Sequence, residues 1–306
     1  MVPLAAIMAI GYLFKKAGLL NEDVLRFISK FLFYMAMPAL AFTSIAAFDF
    51  GIAFNGWMVL HNLAVTLAAF LLGLVFVMMV RDKRRRGAFH MAFFRSNQGY
   101  IGMNAARAMF GEAGLAKASV VNGFDNPLVN ILSVIGLELF KGKEEDIPVQ
   151  KRLAGMAGSI LLNPFVIAVG LGLAESAWKT GIAEIFPVQE FLLLLSKTAL
   201  PLALILIGGS VSFRNMGRNM PQVLFLSTVK LIMVPLMAYA TGRWLFQLPA
   251  QDLGLNVLLL STPVAVSSYV FAREMGSDGE FMASCIGFST MASMVTMPLM
   301  ILCLRI

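Results

Sequence analysis

Apolar runs of about membrane-spanning length recur along the whole chain, separated by short polar loops. Crossing hydrocarbon takes about 20 residues at ~1.5 Å per residue. Read this way, the pattern predicts ten helices, near 2–17, 23–48, 53–80, 88–110, 114–140, 152–174, 188–212, 220–246, 252–274 and 279–304. Two of the runs are interrupted. Arg95-Ser-Asn-Gln-Gly-Tyr-Ile-Gly-Met-Asn104 places polar residues and glycine inside the fourth run, and Ser261-Thr-Pro-Val-Ala-Val-Ser-Ser268 does so in the ninth. Unpaired backbone groups are not tolerated in hydrocarbon unless protein or water satisfies them. Broken helices in corresponding halves point to a transporter with its site between the breaks.

Composition agrees. Of 306 residues, 59% are hydrophobic and 13% charged, with a mean hydropathy of +0.81. Soluble domains average about 25% charged residues. No soluble domain is visible, and the chain is expected to be a multi-pass protein of the cell (inner) membrane in contact with lipid. The first run, Val2 to Phe14, is short for a span. Either Gly18-Leu-Leu20 adds length or the true start lies upstream. No basic leader or small-residue cleavage site is present, so a cleaved signal is not expected.

Cationic residues alternate between loops. Lys15, Lys16, Arg81, Lys83, Arg84, Arg85, Arg86, Lys141, Lys143, Lys151, Arg152, Arg214, Arg218 and Arg273 follow odd-numbered helices. The positive-inside rule then puts those loops in the cytoplasm and both termini on the other side. This bias accounts for the net charge of +7 without nucleic-acid binding. Cys285 and Cys303 lie roughly 27 Å apart along one helix and read as small core residues.

The halves resemble each other. Pro38 to Phe50 matches Pro201 to Phe213, and Gly111, Gly114, Ala118 and Ser119 match Gly276, Gly279, Ala283 and Ser284, at offsets of 163 and 165. Five helices per unit make the second unit insert upside down. The expected fold is therefore an all-α membrane protein of ten transmembrane helices. It divides into a first five-helix repeat at 1–140, a cytoplasmic linker at 141–151 and an inverted repeat at 152–306, with helices four and nine broken.

Candidate chemistry follows from the interruptions. In the first break Asn97, Gln98 and Gly99 supply amides and a compliant backbone. In the second, Pro263 removes a donor while Thr262, Ser267 and Ser268 supply hydroxyls. Helix five carries Asn122, Asn126 and Asn130 on one stripe, with Asp125 beside it. An acidic residue within a span is a functional hypothesis by default. Asp125 either carries a coupling proton or Na⁺, with Asn122, or pairs with Lys230 or Arg95. Thr43 and Ser44 either line the cavity or bond their own helix. Gly208-Gly209-Ser210 reads as close helix packing rather than an ion site and Asn163-Pro164 as a kink, while Lys197 and Lys230 either snorkel to an interface or, one of them, attract an anionic substrate. His61 and His90 lack zinc-type spacing, and no nucleophile elbow or P-loop appears. Neither an enzyme nor a bound cofactor is expected, and transport energy must come from a gradient.

At Asn97-Gln-Gly-Tyr-Ile-Gly-Met-Asn-Ala-Ala-Arg-Ala-Met-Phe-Gly-Glu112 and Thr262-Pro-Val-Ala-Val-Ser-Ser-Tyr-Val-Phe-Ala-Arg-Glu274 the chain resembles the auxin efflux carrier family. Asn163-Pro164 and Pro201 to Gly208 also look like family segments, and the resemblance spans nearly the whole chain. It implies two inverted five-helix repeats whose helices four and nine cross at the breaks. It also implies a dimerising scaffold, an elevator-type moving domain and a small organic anion, mono- or dicarboxylate, as substrate. Asn97 falls on the family's crossover asparagine and Pro263 on its second-repeat proline. Ser96 and Asn104 stand where plant members have proline, so the first break is expected to be the more helical one. The alternative from another class is a membrane receptor or sensor on a transporter fold.

Overall fold

The computed structural model describes residues 2–47, 55–141, 155, 157–179, 181, 185–210 and 213–304, the side chains of 2, 5, 213–218, 303 and 304 excepted. Most of the linker expected at 141–151 and the Cys303 side chain lie outside the described residues. Among those described the chain is helical throughout, with no strand beyond one isolated bridge between Ser96 and Val264.

The helices are α1 (Val2–Lys16), α2 (Glu22–Ala46), α3 (Gly56–Met79), α4 (Lys83–Phe94), α5 (Gln98–Phe140), α6 (Pro164–Trp178), α7 (Val188–Ser210), α8 (Asn219–Leu245), α9 (Ala250–Leu260), α10 (Ser268–Glu274) and α11 (Gly279–Leu304). Several begin where an Asx side chain can accept from the first turn. Asn21, Asn55, Asp82 and Asn163 accept from the amides of Val24, Trp57, Arg84 and Phe165, capping orphan donors. Pro164 then occupies the first turn of α6, where a missing N–H costs nothing. Residues 157–161 are also helical, so Asn163-Pro164 interrupts a helical course, as the sequence suggests. Wide π-turns occur at Leu32–Ala36 in α2 and Val229–Met233 in α8, just before Pro38 and Pro235. Proline withholds the N–H that the preceding turn needs, and a wide turn absorbs the mismatch.

Among the described residues six helices are long and apolar enough to cross a membrane: α2, α3, α5, α7, α8 and most of α11. The sequence reading of ten spans exceeds this for physical reasons. At 15 residues α1 is short, and the fourth and ninth runs are divided by their breaks. At 43 residues α5 is about twice the length of a span, and it turns back on itself at Gly111, where φ is 67° and ψ −160°. A Cβ on Gly114 would sit 2.9 Å from the Ala106 carbonyl. Eight residues of straight helix would separate these positions by about 12 Å, so the two arms form a hairpin.

Among the described residues four glycines adopt positive φ: Gly18 (78°), Gly111 (67°), Gly181 (76°) and Gly276 (80°). A Cβ at any of them would meet nothing within 4 Å. Backbone conformation, not space, therefore requires glycine there.

The helices pack as two groups. In the first, α1 lies on α7, and α2 on α6 and α7. Gly11 and Gly208 bring α1 and α7 together so closely that a Cβ on Gly208 would lie 1.9 Å from the Met8 carbonyl and one on Gly11 2.2 Å from that of Ile205. The Gly208-Gly209 pair thus serves packing, as small residues do between membrane helices. In the second group α3, α4, α5, α8, α9, α10 and α11 surround the breaks. Phe76 stacks on Phe93, and Phe89 on Phe225 and Phe281, within this group. Large apolar side chains remain exposed on the outside, among them Leu71, Leu72, Val75, Met78 and Leu302. Such a surface suits lipid rather than water.

Cations gather at one end of the molecule. Arg85 pairs with Asp278 at 3.0 Å, Lys15 with Glu22 at 2.6 Å and Lys141 with Glu138 at 3.0 Å. At the opposite end of α3, Asn55 donates to Asp252, which also holds Lys117 at 2.7 Å. Trp57, Trp178 and Trp244 are exposed near helix termini, where indole rings favour the membrane–water boundary.

Candidate functional site at the crossing of the two breaks

The chain leaves helical geometry at Arg95 (φ −78°, ψ 102°) and is still outside it at Asn97 (φ −86°, ψ 53°). A π-turn, Gln98–Gly102, then leads into α5. The second break runs from Ser261 to Ser267. The first is thus the shorter and more helical, matching the absence of proline there.

Each break satisfies the other. Asn97 N–H donates to the Pro263 carbonyl at 2.9 Å, and Ala265 N–H to the Arg95 carbonyl at 3.2 Å. Val264 N–H donates to Ser289 Oγ of α11 at 3.2 Å. Backbone that would be intolerable in hydrocarbon is paired within the protein.

A cavity of about 180 Å³ opens beside the crossing. One wall is mostly apolar and comes from the first helix group: Met37, Leu40 and Ala41 of α2, Phe165 of α6, and Ala199 and Ala203 of α7, with Ser44 the polar exception. The facing wall is polar and comes from the second group. It holds Arg95, Ser96, Asn97, Asn122, Asp125 and Ser267 among others.

Of the residues singled out from sequence, Asn97, Gly99, Asn122, Asp125, Asn126 and Ser267 line this cavity. Gln98, Thr262, Pro263 and Ser268 lie outside its lining. Gln98 Nε2 turns to Asn62 Oδ1 of α3 at 3.3 Å. Asn62 itself donates to Asn256, which reaches His61. Thr262 Oγ1 donates to the Leu259 carbonyl of its own helix at 2.7 Å. Pro263 contributes its carbonyl to the crossing. Ser268 is fully buried, its hydroxyl without a partner. Thr43 bonds the Ala39 carbonyl of its own helix, whereas Ser44 faces the cavity.

Arg95 is the group sequence reasoning undervalued. Its side chain is 4% exposed. Nη1 donates to Ser133 Oγ at 2.5 Å, and Nη2 to Asn130 Oδ1 at 2.7 Å and Ser267 Oγ at 3.0 Å. Asn130 in turn donates to Asn126 Oδ1 at 3.0 Å, so part of the amide stripe of α5 serves to hold the guanidinium. The ring of Phe271 lies 4.4 Å from Cζ. Nε has no acceptor, nor has the Asn97 side-chain Nδ2 a partner. The signal was present: an arginine directly before an intramembrane break, too deep for a loop.

Asp125 is buried and accepts from Thr66 Oγ1 of α3 at 3.0 Å. No described ion pair joins it to Arg95 or Lys230 within 4.0 Å, although both cations act on it electrostatically. Lys230 does not snorkel. Its side chain is fully buried, and Nζ donates to Ser96 Oγ and to the Leu260 carbonyl. The π-turn of α8 carries it inward, toward the crossing rather than the surface. In their ordinary ionised forms, two cations and one anion leave a buried excess of positive charge. Among the described residues no cluster of three His, Cys, Asp or Glu side chains could hold a metal ion.

Residues 1–301 match the family described as membrane transport protein. The chain is 26% identical over 304 residues to an "Uncharacterized transporter" of Methanothermobacter thermautotrophicus, covering 96% of this chain and 93% of the relative. It is 22% identical over 300 residues to the "Putative malonate transporter" of Rhizobium meliloti, covering 96% and 92%. A paired crossing of broken helices inside an apolar bundle, and this match from end to end, have one reading: the chain belongs to the membrane transport protein family, that of the auxin efflux carriers, and is a multi-pass membrane transporter rather than an enzyme.

Proposed function

We propose that the protein is a secondary active permease for a small organic anion, a mono- or dicarboxylate, bound in the cavity at the crossing. The observation that carries this reading is Arg95, a buried guanidinium on the cavity wall with a donor to spare. Guanidinium presents a planar fork that matches a carboxylate, and the excess positive charge of the site favours an anion. Asn97, Gln98, Gly99, Asn126, Thr262, Pro263, Ser267 and Ser268 form the proposed binding region, some by contact and some by shaping the crossing. Asp125, with Asn122, is the coupling candidate, and an ion gradient or the membrane potential supplies the energy. The malonate named for the Rhizobium relative falls in the same chemical class.

The architecture proposed is ten transmembrane helices in two inverted five-helix repeats. Support comes from the positive-φ glycines. Gly18 and Gly181 are separated by 163 positions, Gly111 and Gly276 by 165, the offsets of the sequence match. An elevator-type motion is supported by the distribution of chemistry: nearly every polar side chain of the cavity belongs to the second helix group, so bound anion and ligands would travel together. A homodimer built on the first group, an inner-membrane location and non-cytoplasmic termini complete the proposal.

The test is thermal unfolding of purified protein with malonate, malate, acetate or a neutral analogue, with and without Na⁺ and across pH. Ligand at 100 times its Kd stabilises the folded state by about 2.7 kcal/mol. A carboxylate that raises the melting temperature of wild type but not of Arg95→Gln supports the reading. Absence of any shift across the acids sinks it.

A further inference from the structure

We propose that the Lys230 ammonium is a tethered cation occupying an ion position at the crossing, so that this position takes no free Na⁺. The last four carbonyls of α9 can be accounted for one by one. Val257 accepts from Ser261 N–H at 2.9 Å. Leu258 accepts from Ser261 Oγ at 2.7 Å and Leu259 from Thr262 Oγ1 at 2.7 Å. The final carbonyl, Leu260, accepts from Lys230 Nζ at 3.1 Å. The end of a helix carries about half a negative charge, focused on these last carbonyls. Three are quenched by neighbours in sequence, and the fourth by a cation from another helix.

The second oxygen on Nζ is Ser96 Oγ, from the opposite break. A carbonyl at a broken helix end, a hydroxyl from the facing break and a carboxylate acting at longer range through Asp125 are hard oxygen donors. Transporters use unwound carbonyls and half-helix C-termini of this kind to hold coupling cations. Here a covalently attached ammonium sits among them. It is fully buried, and an ammonium left unpaired there would be very costly. The π-turn Val229–Met233 delivers it from α8.

The consequence is chemical. A tethered charge is neither bound nor released during a cycle. It holds the two breaks together, adds to the field that attracts an anion, and leaves a proton or the membrane potential as the energy source. The inference deepens the permease reading, since it concerns the coupling ion of that same site, but its test needs no substrate.

Purified protein is melted in NaCl, KCl or choline chloride at equal ionic strength. Wild type is expected to melt at the same temperature in all three. Lys230→Ser removes the ammonium and leaves room, and its melting temperature is expected to rise saturably with Na⁺ or K⁺ over choline, by about 2 °C or more. A saturable Na⁺-specific rise in wild type would overturn the proposal, as would a Lys230→Ser protein indifferent to the cation. Should Lys230→Ser fail to fold, radioactive sodium binding to wild type decides the question: none above the choline background supports the proposal, and saturable binding overturns it. Failure of every carboxylate to bind wild type would remove the permease reading while leaving these salt comparisons intact.

Discussion

Asn97 and Pro263 are joined through their backbones, the amide of one donating to the carbonyl of the other at 2.9 Å. Residues far apart in sequence thus complete each other's secondary structure. The backbone needs little from the side chains around it, and Arg95 Nε and Asn97 Nδ2 are left without partners.

That completion extends to α11, and it can be tested there. Ser289 Oγ accepts from Val264 N–H and is fully buried. Ser289→Ala leaves a buried donor unpaired, which costs about 1–3 kcal/mol. The melting temperature is expected to fall by several degrees. An unchanged melting curve would show that the crossing does not depend on this bond.

Arg95→Lys keeps the charge and removes the fork. Asn130, Ser133 and Ser267 each lose a donor, and a carboxylate loses its planar partner. Carboxylate affinity is expected to drop about tenfold or more, since charged hydrogen bonds contribute about 1.5–3 kcal/mol. Titration calorimetry with the best ligand from the thermal screen reads this directly. Equal affinity in the lysine variant would move the anion away from Arg95.

Asp125→Asn keeps the shape and removes the negative charge facing Arg95 and Lys230. If Asp125 carries the coupling charge, gradient-driven uptake into proteoliposomes is expected to collapse while anion binding persists or tightens. Uptake with unaltered dependence on the gradient would exclude Asp125 from coupling.

Gly111→Ala and Gly276→Ala place a side chain where nothing clashes but φ is positive. The cost is then backbone strain alone, about 1–3 kcal/mol at each position. Gly170→Ala is the control, a glycine inside α6 with open space around it. It is expected to be neutral or stabilising by up to about 1 kcal/mol. Similar losses at 111 and 276, against none at 170, would match the equivalence drawn between the two halves.

The second helix group is also fastened to the first near the cationic end. Tyr269 Oη donates to Ser210 Oγ at 2.5 Å and accepts from Arg273 Nη1 at 2.9 Å, and Ser29 donates to Glu274. Tyr269→Phe removes the first link. A hydrogen bond contributes about 0.5–1.5 kcal/mol net, so the balance between conformations is expected to move about two- to tenfold. Thiol labelling of a Ser44→Cys reporter in the cavity measures that balance. An unaltered labelling rate would mean the two groups do not separate here.

Much of this was legible in the sequence because hydrocarbon is an unforgiving solvent. Polar and glycine residues between Arg95 and Asn104 announce a break wherever they occur within a span. Gly111 and Gly276 stand out because left-handed backbone selects glycine. The direction of each polar side chain was less legible. Thr262 and Ser267 look alike in sequence, yet one bonds its own helix and the other meets Arg95, because the rotation of the chain at the crossing decides. In sequence Lys230 stands between snorkelling, attracting an anion and pairing with Asp125, because a one-dimensional pattern says nothing about which face of α8 turns inward. Arg95 reads there only as a partner for Asp125, because the linear order does not show that Asn130, Ser133 and Ser267 converge on it.

The contact of Gly11 with Gly208 bears on how such a machine can work at all. Two backbones that touch with no side chain between them cannot slide or rotate past one another without collision. In the proposed elevator motion the α1–α7 pair would therefore serve as the fixed rail, along which the crossing and its surrounding helices are displaced.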